Sequence, residues 1–128
     1  MKSLFIVTAV IEAGAGLALL VSPAAAAWLL FGTEFDMPAA TAVGRVAGAA
    51  LLSLGVACWL ARHDEASRPA TGLTAAMLLY NTAAVAVLAR AGLVSGLVGV
   101  GLWPGIVLHV SMAVWCLVCL RTQREFDR

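Results

Sequence analysis

Residues 46–61 read VAGAALLSLGVACWLA, with one hydroxyl, at Ser53, and no charge. A helix of a soluble bundle needs a polar face toward water. This stretch has none, so its outer solvent is hydrocarbon. In hydrocarbon the backbone must satisfy its own hydrogen bonds, and at this polarity that predicts a membrane-spanning helix. Extended upstream, the span runs over about 39–61. Three further stretches of the same character follow from the sequence, at about 4–21, 70–89 and 103–120. Each approaches the roughly 20 apolar residues that crossing a bilayer requires.

The whole composition agrees. The chain has 128 residues, enough for one domain. It is 62% hydrophobic and 12% charged, against about 25% charged in a typical soluble domain. The net charge of +1 gives no electrostatic case for binding nucleic acid or acidic substrates. The three cysteines, Cys58, Cys116 and Cys119, all lie inside apolar segments, and an odd count there argues against a disulfide framework. The fold expected is an all-α, four-helix transmembrane bundle, a single domain over 1–128. The first segment imitates a signal peptide, with Lys2, an apolar run and then Pro23 before alanines. Glu12 interrupts the run where a signal peptide wants no charge, so a retained span is expected.

Between the spans, Ser22-Pro23 ends or kinks the first. Residues 24–31 are apolar, with Trp28 among them, and either lengthen that span or lie at the interface. Residues 32–38 form a polar turn with Glu34 and Asp36, and residues 62–69 are the most hydrophilic loop. Residues 91–102 are apolar but glycine-dense, which favours a loop or short helix on the membrane surface. Lys2, Arg62, Arg68, Arg121, Arg124 and Arg128 fall on one side, so the positive-inside rule puts both termini in the cytoplasm. Trp28 and Trp103 then fall near the outer interface and Trp59 near the inner one, where indoles prefer to sit. The localisation expected is multi-pass, in a bacterial inner (plasma) membrane.

Each span carries one strongly polar residue: Glu12, Arg45, Asn81 and His109. An ionisable residue at the centre of a span costs roughly 2.5–3.5 kcal/mol on insertion scales. Counted from the outer ends of their spans, Arg45 and His109 lie roughly 9 Å deep and Glu12 and Asn81 roughly 14 Å. A guanidinium spans such a gap, so a Glu12–Arg45 ion pair is expected, completed by hydrogen bonds from Asn81 and His109, with Tyr80 contributing if its helix is suitably rotated. The Gly44-xxx-Gly48 pattern lets helices approach closely. Two readings of this centre stay open. The pair holds the bundle in register, or the cluster receives a ligand.

A second, weaker pattern is a soft-ligand stripe. His109, Met112, Cys116 and Cys119 share one face of the fourth span, and Cys58 lies at similar depth on the second. Such donors suit Cu(I), although Met and Cys are also ordinary packing residues. Cys116-Leu117-Val118-Cys119 has redox-motif spacing without the strand-helix setting that gives the motif meaning. His109 and Ser111 point to different faces, so no nucleophile–base arrangement is visible, and His63 lies in the charged loop.

Ile11-Glu12-Ala13-Gly14 with Pro23, and Gly44-Arg45-Val46-Ala47-Gly48 to Gly55, resemble segments of the DoxX-like superfamily of small bacterial four-helix membrane proteins. Gly101-Leu102-Trp103-Pro104-Gly105 is similar to segments of uncharacterised bacterial membrane proteins. The resemblance covers most of the chain as architecture. It implies roles ranging from quinone-linked redox subunits to assembly partners of other membrane proteins. The small multidrug transporters are also similar in outline, with four spans and a Glu in the first. Here, however, Arg45 is expected to neutralise Glu12, and Tyr80 is the only tyrosine.

The function expected is non-enzymatic: binding of a hydrophobic or lipid-like ligand, or of a partner membrane protein, around Glu12, Arg45, Asn81, His109 and Tyr80. An accessory subunit of a quinone-linked redox complex and an ion-coupled transporter are the alternatives. The partners expected are the lipid bilayer, a lipid or quinone ligand, and a membrane protein or second copy of the chain. No tightly held cofactor is implied.

Overall fold

In the computed structural model the described residues are 1–64 and 67–126, with side chains described as far as 123. They form five α-helices: α1 (Lys2–Val21), α2 (Pro23–Phe31), α3 (Pro38–Ala61), α4 (Arg68–Leu93) and α5 (Leu102–Phe126). Among the described residues there are no strands. Four helices, all but α2, are long and apolar enough to cross a membrane. Of the charges used to orient the chain, the Arg124 side chain and the whole of Arg128 lie outside the described residues, as do Glu65 and Ala66 of the hydrophilic loop.

Local chemistry sets the helix ends. Pro23 disfavours α geometry at the residue before it, and Ser22 sits at φ −140°, ψ 73°, ending α1 and opening α2. Gly32 ends α2 in the left-handed region at φ 74°, with its N–H donating to the Trp28 carbonyl at 2.8 Å. Pro38 starts α3 at its first position, where a missing N–H costs nothing. The Ser67 hydroxyl caps α4 by accepting from the Ala70 N–H at 3.2 Å.

The long helices associate in two antiparallel pairs. α1 packs along α3 and α4 along α5 with close backbones, whereas the two pairs meet mainly through side chains. Glycine makes the first pairing possible. A Cβ on Gly16 would stand 2.7 Å from the Gly48 carbonyl oxygen, and a Cβ on Gly48 would stand 2.7 Å from that of Gly16. Lower down, Gly55 lies against the backbone of Ala9 and Ala13. Such small-residue seams replace the hydrophobic driving force that lipid does not supply between helices.

The buried apolar core fills the space between the pairs at the end carrying the N-terminus. Leu4, Phe5 and Ala9 of α1, Cys58 of α3, Ala70 and Met77 of α4, and Met112 and Cys116 of α5 build it. At the other end, residues 94–101 run against α2. The Gly101 N–H donates to the Leu29 carbonyl at 2.9 Å, and Gly99 touches the backbone at Leu30 and Phe31, leaving no room for a Cβ. The glycine density of this segment thus serves backbone-to-backbone packing. It contains no surface helix, and its first residues, 91–93, belong to the last turn of α4.

Candidate functional site

The side-chain seam between the two helix pairs holds the polar residues. Glu12 of α1 is 3% exposed and Asn81 of α4 is 1% exposed. The Asn81 side-chain amide donates from Nδ2 to the Met77 carbonyl at 2.8 Å. That bond orients the amide, so its Oδ1 faces His109 Nδ1 at 2.8 Å and must accept. His109 therefore carries its proton on Nδ1, and in the neutral ring Nε2 presents a lone pair. The Tyr80 ring meets the His109 imidazole edge-on, with centroids 5.6 Å apart and planes at 81°. Asn81, His109 and Tyr80 thus form one connected group on α4 and α5, and Glu12 of α1 lies near Tyr80.

Arg45 does not join them, and the expected Glu12–Arg45 ion pair is absent. Arg45 is exposed, and the reason is register. Gly16 rests between Gly48 and Leu52, and Gly55 rests between Ala9 and Ala13. Glu12 is therefore level with the stretch near Leu54. Arg45 lies about nine residues away along α3, roughly 13 Å. Gly44 touches Pro23, so its neighbour Arg45 stands level with the break between α1 and α2. The first turns of α3 rise past the end of α1, and counting from span ends placed Arg45 too deep. The close approach also turns Gly44 and Gly48 toward α1, which rotates Arg45 outward. Among the described residues, Glu12 has no cationic partner.

This correction carries a prediction. Arg45→Ala is expected to change stability by no more than about 0.5 kcal/mol, as for a surface position. Combined with Glu12→Gln, the effects are expected to add. Thermal unfolding of the four proteins in detergent checks this. A double-mutant loss well short of the sum would restore the pair.

Two buried hydroxyls belong to the same seam and were not among the expected site residues. Thr74 is satisfied by the Ala70 carbonyl at 2.9 Å. The Thr8 Oγ1 is buried without a hydrogen-bond partner. Their spacing offered a signal. Thr8 lies one turn from Glu12, and Thr74 lies two turns from Asn81, each on the same helix face as its partner.

The soft-ligand stripe divides. Met112, Cys116 and Cys58 are buried in the apolar core, and Cys119 packs half-buried against it. The imidazole of His109 is directed to Asn81 instead. Among the described residues no three His, Cys, Asp or Glu side chains are grouped to hold a metal ion.

The outer face of the α1/α3 pair carries a separate apolar groove of about 270 Å³, lined by Ala9, Val10, Ala13, Gly55, Val56 and Trp59. Arg62 at the end of α3 covers the Trp59 ring, 4.1 Å from its centroid.

Comparison with known protein families, characterised proteins and solved structures finds no match.

Proposed function

We propose that this chain is a small multi-pass protein of the bacterial inner membrane, with both termini cytoplasmic, that binds a hydrophobic or lipid-like molecule at the polar seam between its two helix pairs. One observation carries the reading: Glu12 is a buried residue, 3% exposed, with no cationic partner among the described residues. An acid beside its own counter-ion is explained as a structural lock. An acid without one inside a membrane bundle is expensive and marks a functional site. The resemblance of the segments around Glu12 and Gly44–Gly55 to the DoxX-like superfamily, with its quinone-linked members, makes a lipid-soluble quinone one candidate. Ion-coupled transport keeps its place as an alternative, because Arg45 does not neutralise Glu12.

A membrane-protein partner is a second reading, favoured by Arg45. It shares a stripe of α3 with Val56 in the outer groove, at eleven-residue spacing. A charge on that apolar face suits a neighbouring protein.

Native mass spectrometry from gentle detergent tests both. The expected result is a retained small molecule that is lost in Glu12→Gln and kept in Arg45→Ala. A bare chain in wild type counts against the ligand site, and a retained protein subunit lost only in Arg45→Ala favours the second reading.

A further inference from the structure

The geometry points to a second site, on the outer face of the α1/α3 pair. The groove there takes one acyl chain of an anionic phospholipid, whose phosphate meets Arg62 and Lys2 at the groove's mouth. This site stands apart from the polar seam and does not depend on it. The groove has a floor and a rim. Ala9, Ala13 and Gly55 are small, and the two backbones touch where they meet, so a furrow is left between the helices. Val10, Val56 and Trp59 stand exposed around it. All six residues are apolar, which suits hydrocarbon.

Size narrows the occupant. At about 270 Å³ the groove falls just below the roughly 300–1,000 Å³ of pockets that enclose a whole small ligand. It suits part of a chain. From Gly55 to Trp59 it runs roughly 6 Å, about one helical turn, whereas a packed helix needs a seam of several turns. The protein contact suggested for Arg45 lies eleven residues further along α3 than Val56, roughly 16 Å away, and leaves the groove open.

Charge names the head group. The register that sets Gly55 between Ala9 and Ala13 continues to the helix ends. It brings Arg62 level with Leu4, so Arg62 and Lys2 differ by only roughly 3 Å in height. Each cation also lies on the stripe of its helix that lines the groove. Lys2, Ala9 and Ala13 are spaced seven and four, and Gly55, Trp59 and Arg62 four and three. The guanidinium of Arg62 stands over the Trp59 ring, 4.1 Å from its centroid, and donates from one nitrogen to the Trp59 carbonyl. It is thereby held above the furrow with further N–H donors to offer. Gly55 lies seven residues below it, roughly 10 Å. A phosphate at Arg62 therefore hangs its acyl chain directly into the groove. Basic groups beside a cleft between membrane helices bind anionic head groups, and two of them disfavour a head group carrying its own cation.

The test leaves Trp59 as the sole tryptophan. Trp28→Phe, Trp103→Phe and Trp115→Phe all change exposed side chains. The full chain is placed in phosphatidylcholine bilayers, and phosphatidylglycerol or phosphatidylcholine with brominated chains is added to quench the indole. Each cation is worth about fivefold in affinity. Brominated phosphatidylglycerol is therefore expected to quench Trp59 at roughly twentyfold lower mole fraction than brominated phosphatidylcholine. Lys2→Gln with Arg62→Gln is expected to abolish that preference. Val56→Phe fills the groove, keeps both cations and is expected to abolish it too. Arg68→Gln with Arg121→Gln removes the same charge from the α4/α5 pair at the same end of the bundle and is expected to leave the preference in place. Equal quenching by the two lipids before any charge is removed overturns the inference. An equal loss in Arg68→Gln with Arg121→Gln does so as well, since attraction is then diffuse. A preference that survives Val56→Phe removes the chain from the groove. Shielding of Trp59 from both lipids assigns the groove to a second protein chain and likewise overturns the inference.

Discussion

Gly48→Val is expected to lower the thermal midpoint by roughly 10 °C, the largest single effect anticipated for this chain. The cause is a backbone contact that a side chain cannot yield to. A Cβ at position 48 would lie 2.7 Å from the Gly16 carbonyl oxygen and 2.9 Å from the Leu20 nitrogen. Neither atom can swing aside like the end of a flexible side chain, so α1 and α3 must separate along their seam. Overpacking of this kind costs about 3 kcal/mol, and valine adds two methyl groups to the clash. Gly16→Val presses on the same contact from the other helix and is expected to do the same. Gly14→Ala is the control. No atom lies within 4 Å of its added Cβ, and alanine gains up to about 1 kcal/mol of helix propensity. Circular dichroism melts of the three variants and the wild type in one detergent decide the matter. A Gly48→Val melt superimposable on wild type would mean that the α1/α3 contact does not hold the bundle.

The same contact explains what the sequence revealed and what it hid. The helices were legible because hydropathy is a property of each segment alone. Residues 46–61 exclude a water-facing surface by composition, and Pro23, Gly32 and Pro38 mark breaks by backbone chemistry. Gly44 and Gly48 announced a close approach, and that face is buried. Sequence spacing could not give the height at which one helix meets another. That height depends on which glycine finds which carbonyl. Gly16 against Gly48 slides α3 past the end of α1 and takes Arg45 out of reach of Glu12. Charge complementarity suggested a pair that backbone packing does not permit. Asn81 and His109 came together because both sit in the facing surfaces of an antiparallel pair joined by a short connection. Thr8 stayed hidden among small residues, because a hydroxyl usually bonds its own helix and nothing in the sequence shows that this one does not.

A double-mutant cycle on Asn81 and His109 is expected to give a coupling of about 1–2 kcal/mol, in contrast to the additivity expected for Glu12 and Arg45. Asn81→Leu removes the acceptor from a half-buried N–H, and leaving such a donor unmet costs about 1–3 kcal/mol. His109→Phe keeps the ring in contact with Tyr80 but removes the donor to the buried Asn81 oxygen, at a similar cost. Asn81→Leu with His109→Phe removes both partners, so no polar group is stranded and the loss falls short of the sum. Chemical unfolding in mixed micelles measures all four corners of the cycle. Purely additive losses would mean that the 2.8 Å contact contributes nothing net.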